Sequence, residues 1–418
     1  MFSNDANTGR LCIKLPYAVT KGMKVKGKVY SLTFTELFSM FVTDVSYRRC
    51  ADMLDRSLNR HEGEGFSFRT LKDLALRIGS GIDAAMENEA EEILSVHGFD
   101  PDTGLPLDPE FLDKSVTEPI VPVAPGFSDD EKKKVLEKYN SLFANDDDGH
   151  NRLIDDGVSI GCERSPSTCV YISVDDIGVK RQKESRKDGY TKEFKTVRNT
   201  VIHISCGSKS YVITAYGMEK AFRLLMAFLL RNDLMKDREI VFLTDGAKDI
   251  KGCIEKFFGF RPYTIYLDWY HVAKKCREYI SQAIKGTADS KKAIIQKVFK
   301  LLWRRRIEDI VTYIDGFGIN SVKCEEKRAE MKDYLERKKE YIPCYAFRKQ
   351  MNLVNASNRV EKANDIVVGR REKHNGMSWV PEGSSCLAVM KAAIFNGEKN
   401  VWMNSKVFHF SLVDRKVA

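Results

Sequence analysis

The order of apolar runs between residues 168 and 272 constrains this 418-residue chain more than any other feature. Residues 168–175 are apolar and β-branched and read as a strand. Residues 200–206 and 211–215 read as two more, joined by the turn Gly207-Ser208-Lys209. Residues 218–230 form an apolar-rich helical pattern, and 240–244 form a strand that runs straight into Asp245-Gly246. A helix over 250–258, a strand over 263–267 and a helix starting near Val272 complete the series. Three hairpin-connected strands followed by two crossovers, β-β-β-α-β-α-β-α, demand a mixed sheet covered by helices. The expected fold class is α/β, and the element order is that of the RNase H-like fold.

The flanks are of different character. Six of the eleven prolines (Pro101, Pro106, Pro109, Pro119, Pro122 and Pro125) crowd one stretch, which rules out regular helix or inner strand there and predicts a linker. An acidic break at Asn145-Asp146-Asp147-Asp148-Gly149 follows a short predicted helix over 129–142. Ahead of the linker, Tyr47, Cys50, Ala51, Leu54 and Leu58 recur at helical spacing after a candidate N-cap, Ser46. A glycine-bearing break precedes Ser67 and a second run with Leu71, Leu74, Ala75 and Ile78. Two short helices around a turn read either as a helix-turn-helix or as an ordinary helical hairpin, and Arg69, Lys72 and Arg77 favour DNA. Residues 288–350 are helical and highly charged, including Trp303-Arg304-Arg305-Arg306, where DNA contact and a solvated face read equally well. The predicted division is a helical N-terminal domain (1–98), a linker with a short helix (99–165), a first catalytic part (166–284), a helical insertion (285–350) and a last catalytic part (351–418).

With 43% apolar residues and 10% aromatics the chain can build a sizeable core, which excludes wholesale disorder. Lys plus Arg number 68 against 59 Asp plus Glu, a net charge of +9 that favours an anionic partner such as nucleic acid. Ten cysteines without a C-x-x-C pair argue against structural zinc and for thiols in a reducing compartment. No run approaches 18 apolar residues, so a cytoplasmic, chromosome-associated protein without membrane contact is expected.

Two acids stand out at strand ends. Alternation along residues 170–175 sends Val170, Ile172 and Val174 to one face and Tyr171, Ser173 and Asp175 to the other. Asp245 likewise follows its strand, and ligands of open α/β sheets collect at the carboxyl ends of strands. Neighbouring aspartates repel unless a cation bridges them, and oxygen ligands suit Mg²⁺ or Mn²⁺. Taken singly, each aspartate reads better as a turn or N-cap residue.

The C-terminal segment adds a third acid. It reads Asn355-Ala356-Ser357-Asn358-Arg359-Val360-Glu361-Lys362, then Arg371-Glu372-Lys373 and Gly376-Met377-Ser378-Trp379. With Asp268-Trp269-Tyr270-His271, a D-x-x-H element, the chain resembles DDE transposases of bacterial insertion sequences, within the broader Mutator-like group. The resemblance covers roughly residues 168–396. It implies an RNase H-like catalytic domain in which Asp175, Asp245 and Glu361 are catalytic and hold Mg²⁺, with Mn²⁺ a plausible substitute and two ions expected. Two such ions about 3.5–4 Å apart activate water and stabilise the leaving 3′ oxygen. The freed 3′-OH then attacks target DNA. Asp268 and His271 are implied auxiliaries. Asp176 stands where the family often has glycine, so either aspartate fits the first ligand, and the place directly after the strand favours Asp175. The stretch before Glu361 is not glycine-rich as in the family. Phosphate contacts are expected from Lys180, Arg181, Lys183, Arg186 and Lys187 on one side and Arg370, Arg371 and Lys373 on the other, with Trp379 as a base-stacking or core residue. The implied partner is double-stranded DNA, both transposon ends and target, bound by a homo-oligomer. A nuclease of the same fold that does not join strands, and a domesticated or inactive transposase that only binds DNA, are the alternatives.

Overall fold

The computed structural model describes residues 2–4, 11–13, 23–25, 28–58, 65–117, 128–145, 149–153, 168–183, 195–236, 238–373 and 377–412. Two short antiparallel ribbons, Phe2–Asn4 with Leu11–Ile13 and Met23–Val25 with Lys28–Tyr30, precede three helices. These are α1 (Leu32–Val42), α2 (Tyr47–Ser57) and α3 (Phe68–Val96). Ser31 and Ser46 cap the first two through side-chain oxygens that accept from the Phe34 and Arg49 backbone N–H groups.

In α3 the structure departs from the expected short helix. It runs on to Val96 because buried positions recur along its whole length, from Leu71, Leu74 and Ile78 through Ile82, Met86 and Ala90 to Ile93. Gly79 lies inside it, where a Cβ would sit 2.6 Å from the Cys386 Cα, so the glycine permits close helix–helix approach. The α3 spine belongs to the same core as the central sheet, in place of the separate N-terminal domain that the sequence suggests.

The Pro-rich stretch is described as far as Thr117, and Pro119, Pro122 and Pro125 lie outside the described residues. Its first part is tied to the sheet domain. The Arg261 guanidinium donates to the Val116 and Met235 carbonyls, and Arg223 donates to that of Pro101. Helix α4 (Asp129–Ser141) starts with a reciprocal Ser128–Glu131 capping box. Of the acidic break, residues 146–148 lie outside the described residues.

The central sheet holds β1 (Cys169–Lys180), β2 (Thr196–Cys206), β3 (Lys209–Tyr216), β4 (Glu239–Thr244) and β5 (Thr264–Leu267) in the order β3-β2-β1-β4-β5. β1, β2 and β3 pair antiparallel, and β4 and β5 run parallel to β1. Helix α5 (Met218–Arg231) leads from β3 to β4, α6 (Lys248–Phe258) from β4 to β5, and α7 (Trp269–Ala283) leaves β5. This is the RNase H-like arrangement of an α/β protein, a mixed sheet flanked by helices.

Residues 284–350 carry α8 (Ala288–Trp303), α9 (Ile307–Asp315), α10 (Glu325–Lys338) and α11 (Tyr345–Gln350). With α7 they enclose a core of their own around Ile280, Val298, Leu302, Ile310 and Leu335. Helix α12 (Asn358–Asn364) passes through a π-helical turn, Asp365–Gly369, into the one-turn α13 (Arg370–Glu372). Helices α14 (Pro381–Phe395) and α15 (Lys399–Ser405) close the chain. Tyr211 packs on Phe228 of α5 on one face of the sheet, and Asn199 donates to Ser384 of α14 on the other. The Asn396 carboxamide bonds both backbone groups of Val212 at the free edge of β3. Among the described residues no helix is long and apolar enough to cross a membrane.

Candidate active site

Asp175 does not close its strand, as its sequence position suggests. β1 continues to Lys180 because β2 pairs with it throughout, Asp175 opposite Val201 and Asp176 opposite Thr200. What ends near Asp175 is the pairing with β4, whose last partners are Ser173 and Leu243. Two residues beyond each of these partners stand Asp175 and Asp245, so period-two alternation puts both on one face at the carboxyl ends of neighbouring parallel strands.

The same alternation separates the two adjacent aspartates. The Thr200 hydroxyl donates to Asp176 Oδ1 at 2.5 Å. Asp175 turns the other way and accepts at Oδ2 from the Asn364 carboxamide, also at 2.5 Å. Burial, then the charge of Asp245, pushes the Asp175 carboxyl up from 3.8 to about 6. Asp245 is solvent-exposed, and its Oδ1 accepts from the Ala247 N–H at 2.8 Å, a local turn contact. Face, not strand end, therefore distinguishes Asp175 from Asp176.

Asp268 caps α7, and its backbone N–H donates to Thr244 at 2.8 Å. Its side chain is only 1% exposed. One oxygen accepts from the His271 N–H at 3.1 Å and lies 3.3 Å from the imidazole Nδ1, and the other accepts from the Ser357 N–H. Burial raises the Asp268 carboxyl, but the bonds from His271 and Ser357 outweigh it and hold the group below the usual range. The bond to Asp268 in turn raises His271. The far nitrogen, Nε2, stands 3.9 Å from Glu361. D-x-x-H is thus both a helix cap and a brace, joining the end of β5 to the start of the helix that carries Glu361.

The Asn-Ala-Ser-Asn stretch completes that brace. Asn355 accepts from Arg348 Nε at 3.0 Å and donates to the Tyr345 carbonyl at 2.8 Å, while the Tyr345 hydroxyl donates to the Leu267 carbonyl at 2.9 Å. Side-chain amide bonds here hold the turn ahead of Glu361.

Asn364 is the residue that sequence reasoning missed. One turn after Glu361 on α12, it is 5% exposed, and its Oδ1 has no hydrogen-bond partner. The π turn follows directly, and such turns frequently sit at functional sites. Within it Asp365 pairs with Arg370 at 3.0 Å.

The residues expected to grip DNA divide. Lys180, Lys183 and Lys373 are exposed and Arg181 half-buried, whereas Arg186 and Lys187 lie outside the described residues. Arg370 is exposed, but Arg371 is buried, donates to the Val42 carbonyl at 3.0 Å and stacks on Trp379 with 4.8 Å to the ring centroid. Trp379 is 5% exposed, its indole N–H donates to the Glu372 carbonyl, and its backbone is bonded to Lys180 and Gln182. Arg371 and Trp379 are therefore core and do not face a base or a phosphate. Burial raises Glu372 between them to about 8. The basic run of the insertion is also largely internal, with Arg304 and Arg306 donating to the Asn151 and Gly149 carbonyls.

Among the described residues no three His, Cys, Asp or Glu side chains converge closely enough to enclose an ion. The donor chemistry nevertheless suits a hard divalent cation. Two carboxylates share a face and one opposes ionisation of the other, and an amide oxygen beside them is buried without a donor.

No family model matches the chain, and no curated protein matches it in sequence. Among solved structures, the Drosophila P element transposase strand transfer complex aligns with 70% of this chain and 84% of that one. The alignment has 10% identity and a TM-score of 0.21, too low for any inference about this chain.

Proposed function

We propose that the protein is a DDE-type DNA transposase of the insertion-sequence kind, cutting DNA at transposon ends and joining the 3′-OH to target DNA. One observation carries this reading: Asp175 and Asp245 share a face of adjacent parallel strands, and burial, with the charge of Asp245, drives Asp175 up to about 6. A cation bridging the two carboxylates would offset that cost. Asp175, Asp245 and Glu361 are the residues that would hold Mg²⁺ or Mn²⁺. The metal, when bound, supplies activation of water and charge stabilisation for the leaving oxygen.

The chain's own residues prepare the site. Asn364 fixes the outer oxygen of Asp175, and Asp268 pins Ser357 and so the helix of Glu361. His271 stands between Asp268 and Glu361 and restrains the latter's carboxylate. The partner is double-stranded DNA, bound by more than one copy of the chain.

The test incubates the full chain and Glu361→Gln with duplex DNA carrying the element's ends, in Mg²⁺ or Mn²⁺. The wild type should cut and join, and the variant should lose both by on the order of 10³-fold, the rate equivalent of several kcal/mol of metal-derived stabilisation. Undiminished cleavage by the variant removes Glu361 from the site. Cutting without joining selects a nuclease. Asn364→Ala should raise the Mn²⁺ concentration for half-maximal cleavage by about 10-fold or more, the usual range for outer-shell partners. An unchanged metal profile would show that Asn364 is merely packed.

A further inference from the structure

We infer that the last turn of α10 and the first of α6 form a phosphate-binding wall beside Asp245, built from Lys338, Arg337 and Lys248, that takes the backbone of a DNA strand. This rests on the DNA-cutting reading above and adds a contact surface apart from the exposed basic residues near β1 and α13.

Lys338 lies in the helical insertion, far from Asp245 in sequence, yet its ammonium donates to the Gly246 carbonyl at 3.0 Å. Gly246 has φ +84, a conformation that glycine adopts without cost, and a Cβ there would meet Leu267 at 2.7 Å and the Lys338 Nζ at 3.5 Å. The lysine is thereby anchored to the peptide that follows Asp245. An ammonium has three donors, and this bond uses one. Tyr341 supports the arrangement, with the Lys338 and Lys251 nitrogens 5.9 and 5.2 Å from its ring centroid.

The charge balance points to an anion. Lys251 pairs with Glu255 at 3.2 Å, and Lys339 with Glu308. Lys248, Arg337 and Lys338 make no ion pair among the described residues. Burial and the like charges of Lys251, Arg337 and Lys248 hold Lys338 below the usual lysine range, and Asp245 is the acid that acts against them. Three cations gathered beside one carboxylate repel one another unless something negative lies across them. A phosphodiester strand supplies that charge, one per nucleotide. It would also pass beside Asp245, where a scissile phosphate has to lie. The wall is inconspicuous in sequence, because a charged helix with i,i+3 pairs such as Lys327–Glu330 looks solvated throughout.

The experiment measures binding of the full chain to fluorescein-labelled, mixed-sequence duplex DNA in EDTA, over a series of KCl concentrations. Removing one phosphate contact should make the slope of log K against log [salt] shallower by about 0.9. Lys248→Ala/Arg337→Ala/Lys338→Ala should therefore flatten it by roughly 2–3, and Lys327→Ala, on the same helix, should leave it unchanged. Should the triple variant melt early, Lys248→Gln/Arg337→Gln alters two exposed side chains and should flatten the slope by about 2. Folded variants with the wild-type slope overturn the wall while leaving the acid site intact. A wild type that does not bind DNA overturns both.

Discussion

Asp245→Asn is expected to remove metal-dependent DNA cleavage and, at the same time, to raise the melting temperature of the metal-free protein near pH 7. The activity loss should be on the order of 10³-fold, because an acid proposed to hold the metal becomes a neutral amide. The stability gain follows from Asp175. Its folded pKa of about 6 lies above the ordinary 3.8, so the native state binds that proton more tightly than the unfolded chain does. The resulting stabilisation is fully present below about pH 4 and is lost as pH rises through 6. At pH 7 without metal, two ionised carboxylates on one face oppose folding. The amide oxygen that the substitution introduces can still accept from the Ala247 N–H, so the turn is kept while the charge goes. Thermal melts in EDTA from pH 4 to 8 should show the variant above the wild type at the alkaline end, with the difference closing towards pH 4. Added Mn²⁺ should raise the wild type and not the variant, since a ligand stabilises only the state that binds it. A variant whose melting temperature falls between pH 4 and 8 as steeply as the wild type's, or that still cleaves at the wild-type rate, sinks the proposed site.

Deleting residues 1–98 is expected to abolish cooperative folding of the remainder. A detachable DNA-binding domain would leave a competent catalytic fragment behind. Helix α3 instead buries Leu71, Leu74, Ile78, Ile82 and Ile93 in the core that also holds Val174, Ile202 and Phe228. Removing one such side chain costs about 2–5 kcal/mol, and a whole domain is held by only about 5–15 kcal/mol. Lys220 adds a bond to Asp83 at 2.8 Å across the same contact. Expression of 99–418 should therefore yield aggregated protein or a chain without a sharp thermal transition. A soluble fragment that melts cooperatively and cuts DNA would show the helices to be an independent unit.

The strand order was legible because each strand is an apolar, β-branched run whose neighbours are separated by turn residues. Period-two alternation also foretold that Asp175 leaves the apolar face of Val170 and Ile172. The length of β1 was not legible, since residues 176–180 carry an acid, a glycine and a lysine and extend only because β2 pairs with them. Asn364 escaped notice for a related reason. An asparagine inside a helix has no periodic signature, and its partner Asp175 is 189 positions away. Arg371 misled in the opposite direction. A cation following a proposed catalytic acid looks like a phosphate contact in sequence, whereas here it is buried against Trp379, for which core packing was one of the two readings. Lys338 was hidden in a run of charges in which Lys327 pairs with Glu330 and Arg328 with Glu325.

The Asn396 carboxamide occupies both backbone groups of Val212, with bonds of 3.0 and 2.7 Å, midway along the outer strand of the sheet. A free strand edge templates the addition of another strand. By filling that position with its own side chain, the protein denies an incoming strand the middle of this edge.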